Sequence, residues 1–182
     1  MRKLFLIAAS LLIAPLSAVP SAHASDDCMA GPLAEFGRYV GNWDIQDWSL
    51  SKDGTTWTEG KEGTKWNFVC LGDGTAVQDY WFPANGGYGT NLRTYNSETK
   101  SWDIVWTAKA LNGFTHINAL KDVDGNMVMS YVSPTQNPPR RITFMKPTNE
   151  GWDWKMEMSF DGEKSWVAVY KIKATKSAPS AD

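Results

Sequence analysis

Side chains suited to acid–base or metal chemistry are scarce in this sequence. It contains two histidines, His23 and His116, and two cysteines, Cys28 and Cys70. His23 lies in residues 1–24, which are predicted below to be removed as a signal peptide, so His116 and the two cysteines remain. They are too few for a structural zinc site, which needs four ligands, and no Gly-x-Ser-x-Gly nucleophile elbow occurs. His116 therefore keeps three interpretations: a polar group in a cavity, the general base of an enzyme acting in that cavity, or a histidine hydrogen-bonded to a neighbouring strand or to solvent.

Three arginines are the other groups with the chemistry to recognise a ligand. Arg93 lies in the middle of a strand-like segment, and Arg140 and Arg141 are adjacent, so in a strand they point to opposite faces. A buried arginine needs an anionic partner. Asp79 and Glu157 are candidate partners within the chain, and a ligand carboxylate is the other option. Arginines exposed on a strand face, or in internal salt bridges, are the alternative without a ligand.

One acidic segment has the oxygen-rich composition of a cation loop. Asp-Val-Asp-Gly-Asn at 122–126 holds three carboxylate or amide side chains. An EF-hand calcium loop also needs a bidentate acid at its twelfth position, which falls here on Ser133. The segment is therefore predicted to be a hairpin turn.

Residues 1–24 have the organisation of a secretory signal peptide. A basic start precedes an apolar run, and a small-x-small pattern places cleavage between Ala24 and Ser25. The run is shorter than the roughly 20 residues that cross a bilayer, and Pro15 interrupts it. We therefore expect a periplasmic or secreted protein without a membrane span.

Both cysteines lie after the predicted cleavage site. An exported chain with two cysteines favours one disulfide, between Cys28 and Cys70. Closing a loop of this length stabilises the fold by about 4 kcal/mol in the chain-entropy model. Two buried free thiols are the alternative.

The charge balance limits the classes of partner. The formal net charge is −2, whereas nucleic acids and anionic membrane surfaces select a basic face. Neither is expected as a partner. The sequence predicts no oligomeric state.

The remaining pattern is that of strands and tight turns. A short helical segment at 31–40 is followed by period-two alternation, with Asp-Gly and Asn-Gly turns between about ten strands. A meander of that many strands has two exposed edges unless it closes. We therefore expect an all-β protein, a single antiparallel up-and-down β-barrel over 25–175, with the short helix plugging one end and a disordered tail over 176–182.

Ten tryptophans follow this alternation. Trp102 and Trp106 share one face of their strand with Ile104, and Trp154 shares a face with Trp152. This pattern predicts bulky side chains packed inside the barrel. A carbohydrate-binding platform of exposed indoles is the alternative.

The first strand opens on Gly41-Asn42-Trp43 after the short helix, an arrangement that resembles the lipocalin-like barrels of the calycin superfamily. The segments LRTYNSETKSWDIVW, GFTHINAL, RRITF and WDWKMEMSFDGEKSW resemble a bacterial family of lipocalin-like domains without a settled function, and the resemblance runs over roughly 33–173. It implies that Trp43 closes the barrel floor and packs on a basic residue. Some related barrels bind haem through one histidine, which adds haem ligation to the interpretations of His116.

Together these observations predict an exported barrel that binds a small, hydrophobic or amphipathic molecule in its lumen. No catalytic residue, metal or cofactor is assigned. An enzyme acting in the cavity and a haem-binding barrel are the alternatives. The candidate ligand contacts are Trp43, Gln78, Tyr80, Arg93, Trp106, His116, Arg141 and Trp154.

Overall fold

The computed structural model describes residues 26–72 and 74–178. The predicted signal peptide and residues 179–182 of the predicted tail lie outside this range. Two short 3₁₀ helices, Asp26–Met29 and Gly31–Leu33, lead into a one-turn helix, α1, at Ala34–Gly37. Within the described residues, no helix has the length and apolar character to cross a bilayer.

The rest of the described chain is a series of antiparallel strands joined by turns. The strands are β1 (Gly41–Leu50), β2 (Trp57–Glu59), β3 (Thr64–Leu71), β4 (Ala76–Phe82), β5 (Gly89–Asn96), β6 (Ser101–Ala108), β7 (Thr115–Lys121), β8 (Met127–Ser133), β9 (Arg140–Phe144), β10 (Gly151–Met158) and β11 (Val167–Lys176).

Ten of the strands in the described chain close into a barrel. From β3 to β11 each strand pairs with the next, and β1 pairs with both β3 and β11, so the sheet has no free edge at the point of closure. The predicted up-and-down barrel is therefore confirmed. β11 extends to Lys176, and the Ser177 amide donates a hydrogen bond to the Asn42 carbonyl at 2.9 Å.

The short strand β2 is an addition to this barrel. It pairs with the end of β1, at Trp48–Leu50, beyond the part of β1 that pairs with β3. The Gly60 amide donates to the Asp47 carbonyl at 2.8 Å. A Cβ on Gly60 would lie 2.1 Å from Asp47 Oδ1, so a side chain at this position would collide with Asp47.

One end of the barrel is filled by an aromatic plug, defined here as Phe36, Tyr39, Trp43, Trp102 and Trp152. The ring of Phe36 meets Trp102 edge-on at 4.9 Å, and that of Trp43 meets Trp152 at 5.7 Å. Trp43 Nε1 donates to the Tyr39 carbonyl at 2.7 Å, and Tyr39 Oη donates to the Met145 carbonyl at 2.9 Å. The residues around α1 thus close this end of the barrel, as the sequence predicted.

The predicted Cys28–Cys70 disulfide is present and ties the first 3₁₀ helix to β3. The helix α1 then packs so closely on this segment that a Cβ on Gly37 would lie 1.8 Å from the Cys28 carbonyl oxygen. Glycine at 37 is therefore required by the close approach of the two backbones.

Candidate ligand-binding site

Beyond the aromatic plug, the barrel lumen contains a cavity of about 380 Å³. This lies within the range of roughly 300–1,000 Å³ that is usual for small-molecule sites. Strands β3 to β11 all contribute to its lining. Some lining side chains are half-buried rather than buried, including Trp81, Trp106 and Tyr170, and they mark the side where the lumen meets solvent.

Most of the cavity wall is aromatic. Trp66 is central to it, with its ring centroid 5.0 Å from that of Trp81 and 6.3 Å from that of Trp154. Tyr170 meets Trp154 edge-on at 5.8 Å. Faces and edges of several rings are thus presented around one space, which favours a flat or apolar guest. The aromatic lining residues are Trp66, Trp81, Trp106, Tyr131, Trp154 and Tyr170, with Phe144 beneath them.

Aliphatic and thioether side chains complete the apolar lining. They are Ile117, Met129, Ile142, Met156 and Ile172. Methionine is unbranched and adapts to irregular shapes, so this part of the wall can adjust to a guest more readily than the indoles.

A buried polar group interrupts the apolar lining. Arg93 and Asp79 are both fully buried, and Arg93 Nη2 lies 2.5 Å from Asp79 Oδ2. The same carboxylate accepts hydrogen bonds from the backbone amide and side-chain Nδ2 of Asn91, at 3.0–3.1 Å. Arg93 and Asn91 line the cavity. Asp79 thus balances the arginine charge from within the wall.

The guanidinium of Arg93 is surrounded by aromatic rings. Its Cζ lies 4.9 Å from the ring centroid of Phe36, 5.2 Å from Phe68 and 5.6 Å from Phe144. Ring faces attract a cation at these distances. They accept no conventional hydrogen bond, and Nε and Nη1 have no hydrogen-bond acceptor among the described residues.

Two phenols on the lining stay neutral at ordinary pH. Burial raises the pKa of Tyr170, and so does the hydrogen bond that its hydroxyl donates to Asp47. Burial also raises the pKa of Tyr131, despite an opposing effect of Arg140. Neither hydroxyl is therefore a candidate base.

The position of Trp106 depends on a glycine in the neighbouring strand. A Cβ on Gly89 would lie 2.2 Å from Trp106 Cη2. The absence of a side chain at 89 lets this indole lie against β5, where it forms part of the cavity wall.

The structure brings three of the predicted contact residues together in the cavity lining: Arg93, Trp106 and Trp154. Trp43 lies instead in the aromatic plug, packed on Trp152. The predicted anionic partner of Arg93, Asp79, is the one found.

The other four predicted contacts lie outside the lumen, on alternating positions of the strands. In β4, Val77 and Asp79 are buried, so Gln78 and Tyr80 project outward by the period-two rule. Gln78 Nε2 donates to Thr90 Oγ1 at 3.1 Å, and Tyr80 stacks on Phe82.

Arg141 is on the outer face for the same reason, since its neighbour Ile142 lines the cavity. Its Nε donates to Glu157 Oε2 at 2.7 Å, and its guanidinium lies 4.5 Å from the ring centroid of Trp166. The predicted partner Glu157 is thus used by an outward-facing arginine.

His116 is exposed, between the buried residues Thr115 and Ile117 of β7. It borders a shallow depression on the outer wall beside Leu92 and Val132. The described lining of the cavity therefore offers no imidazole, and its residues do not fit a histidine-ligated haem or a histidine general base in the lumen.

The acidic segment at 122–126 forms a turn. Asp122 Oδ1 accepts hydrogen bonds from the amides of Asp124 and Asn126, at 3.0 and 2.8 Å. Its carboxylate is therefore engaged with its own loop. In the described part of the chain, no group of three or more histidine, cysteine or acidic side chains is arranged to hold a metal.

Several lining residues were not among the predicted contacts. Asn91 lies two positions before Arg93, so strand alternation alone would have placed it on the same face. Trp66 and Trp81 lie directly opposite one another in β3 and β4. The sequence pattern identified both strands, but it did not show which face of each strand points into the barrel.

Comparison with known proteins supports the fold. No family model and no curated protein matches the chain, whereas 11 chains of solved structures match it. One of them is the S-type phycobiliprotein lyase CPES from Guillardia theta, with a TM-score of 0.53 and 10% sequence identity, covering 79% of this chain and 90% of that chain. At this identity the likeness concerns the lipocalin-like fold alone.

Proposed function

We propose that this protein is an exported barrel that binds a small, largely apolar or aromatic molecule in its lumen. The observation that carries the proposal is the cavity of about 380 Å³ with its wall of indole, phenol and thioether side chains. A barrel that served only as a packed scaffold would fill this space with side chains, because protein interiors are close-packed.

The export of the protein is supported by the Cys28–Cys70 bond. Disulfides persist in oxidising compartments and are rare in the reducing cytosol. The signal-peptide pattern at 1–24 supports the same location.

The ligand-binding proposal is tested with the neutral fluorophore N-phenyl-1-naphthylamine, whose fluorescence rises in apolar surroundings. Purified mature protein is titrated together with two variants that add the same aromatic ring. Ile142→Phe adds it to the cavity lining. Val132→Phe is the matched control, since Val132 is 59% exposed on the outer wall.

Saturable binding at one site is expected in the wild type. In the complex the added ring overpacks against the dye, at a cost of about 1–3 kcal/mol, so Ile142→Phe weakens binding by about fivefold or more, and Val132→Phe leaves it unchanged. Far-UV circular dichroism establishes that both variants are folded. Equal binding by both variants would show that the dye occupies another site and would contradict the proposal.

A further inference from the structure

The unpaired polar atoms in the interior are all of one kind. Among the described residues, every buried side-chain nitrogen or oxygen without a hydrogen-bond partner is an N–H donor. Three of the residues concerned, Trp66, Arg93 and Trp154, line the cavity. Native proteins leave few buried donors unpaired, so donors gathered around one cavity call for an acceptor from outside the chain.

The carboxylate that faces Arg93 is already engaged. Asp79 accepts three hydrogen bonds from Asn91 and faces Arg93 Nη2 as an ion pair that is not an aligned hydrogen bond. The residues of the cavity wall therefore carry surplus donors, one of them on a permanent cation, and the donor nitrogens are covered by neighbouring atoms.

We propose that the ligand carries a carboxylate that accepts hydrogen bonds from the N–H groups of Arg93 that Asp79 leaves unpaired, with an aromatic body lying against Trp66 and Trp154. This inference rests on the proposed function and adds the chemical class of the ligand. A guanidinium has donors left for a second carboxylate after it has met Asp79, and a planar fork suits that group.

The contact requires a small rearrangement of the lining. Arg93 is fully buried beneath neighbouring side chains. The cavity lining includes the flexible thioethers of Met129 and Met156, which adapt to a guest more readily than the indoles. At the packing density of a protein interior, the cavity holds roughly 20 non-hydrogen atoms, which is the size of a two- or three-ring aromatic acid.

The test uses three probes that share one aromatic body and differ in charge: 2-naphthoate, 2-naphthamide and 2-naphthylmethylammonium. Each is titrated into the mature protein at pH 7 by isothermal calorimetry. A hydrogen bond to a charged group is worth enough to favour naphthoate over the other two by about tenfold to a hundredfold.

Two variants then locate the preference. Arg93→Met combined with Asp79→Asn removes both buried charges together, which avoids leaving the aspartate unpaired. It is expected to abolish the preference for naphthoate over naphthamide. Arg141→Met is the matched control, because it removes an arginine that is also paired with a carboxylate but lies on the outer face. It is expected to keep the preference.

The outcomes separate the two proposals. Equal affinity of the wild type for all three probes, or a naphthoate preference that survives in the Arg93/Asp79 double variant, overturns the carboxylate inference and leaves lumen binding intact. Failure of all three naphthalene probes and of N-phenyl-1-naphthylamine to bind contradicts the proposed function itself.

Discussion

Asp79 and Arg93 form a diagonal ion pair between adjacent strands: Asp79 lies opposite Asn91, and Arg93 lies opposite Val77. Diagonal neighbours two residues out of register are within reach of long side chains in a sheet. Asn91 therefore holds the carboxylate from the directly opposed position while Arg93 meets it obliquely. Nitrogen atoms of this guanidinium remain without a hydrogen-bond acceptor among the described residues.

The first prediction concerns the cost of breaking this pair. Arg93→Met leaves a buried carboxylate without its cation, which destabilises proteins by about 3–5 kcal/mol. Combining it with Asp79→Asn is expected to restore most of the loss. Urea unfolding followed by tryptophan fluorescence measures both. If the single and double variants were equally unstable, the ion pair would not be the interaction that matters at this position.

A second prediction concerns Gly89 and Trp106. Gly89→Ala places a methyl group against the indole, and overpacking of this kind costs about 1–3 kcal/mol. Trp106→Leu removes the ring that the methyl group meets. The double variant is therefore expected to be more stable than the sum of the single effects predicts, in a double-mutant cycle. Strict additivity would show that the two positions do not touch.

The outer-face carboxylate Glu157 gives a pH-dependent prediction. Burial raises its pKa, but the hydrogen bonds from Arg141 and Lys155 outweigh this, and the pKa lies below its ordinary value. A carboxylate with a lowered pKa in the folded state contributes stability at neutral pH. That contribution is lost as the pH falls from about 4.5, the ordinary value, through the folded-state pKa.

Glu157→Gln is therefore expected to be less stable than the wild type at pH 7, by about 1 kcal/mol. The difference should shrink as the pH falls below 4.5 and through the folded-state pKa of Glu157. Unfolding midpoints in urea at a series of pH values test this. A difference that stays constant with pH would mean that the carboxylate charge does not contribute.

The disulfide gives a further prediction. Cys28 and Cys70 are 42 residues apart, and replacing both by alanine costs about 4 kcal/mol in the chain-entropy model. Protein purified from the periplasm should have a mass two hydrogens below that of the reduced chain. The double variant should unfold at lower urea. Equal stability of the double variant and the wild type would contradict a stabilising role for the bond.

The barrel was predictable because its pattern is local. Turns with Asp-Gly and Asn-Gly join strands that pair with their sequence neighbours, so the order of the sheet follows the order of the chain. The segments of β2 and β3 were distinguished, but the position of β2 outside the barrel was not predicted, since it pairs only with the end of β1. The close approach of Gly60 to Asp47 beside it has no signature in the alternation.

The side of each strand that faces the lumen was harder to predict. In segments such as 76–82, both faces carry polar and aromatic residues, and a shift of one residue exchanges inside and outside. Gln78 and Tyr80 were placed inward for this reason, whereas Val77 and Asp79 are the buried residues. A buried aspartate is uncommon, and it is stabilised here by Arg93 and Asn91 from the next strand.

The crowding of indoles has a spectroscopic consequence. Trp43, Trp152, Trp66 and Trp81 form an unbroken series of ring contacts, with centroids 5.0–5.7 Å apart. Strong transition dipoles this close couple as excitons, so the circular dichroism of the indoles belongs to the array rather than to single chromophores. The indoles of the aromatic plug and those of the cavity wall therefore contribute to one shared signal. A ligand that changes the separation of Trp66 and Trp154 is therefore expected to change this circular dichroism signal, even when the ligand is not fluorescent.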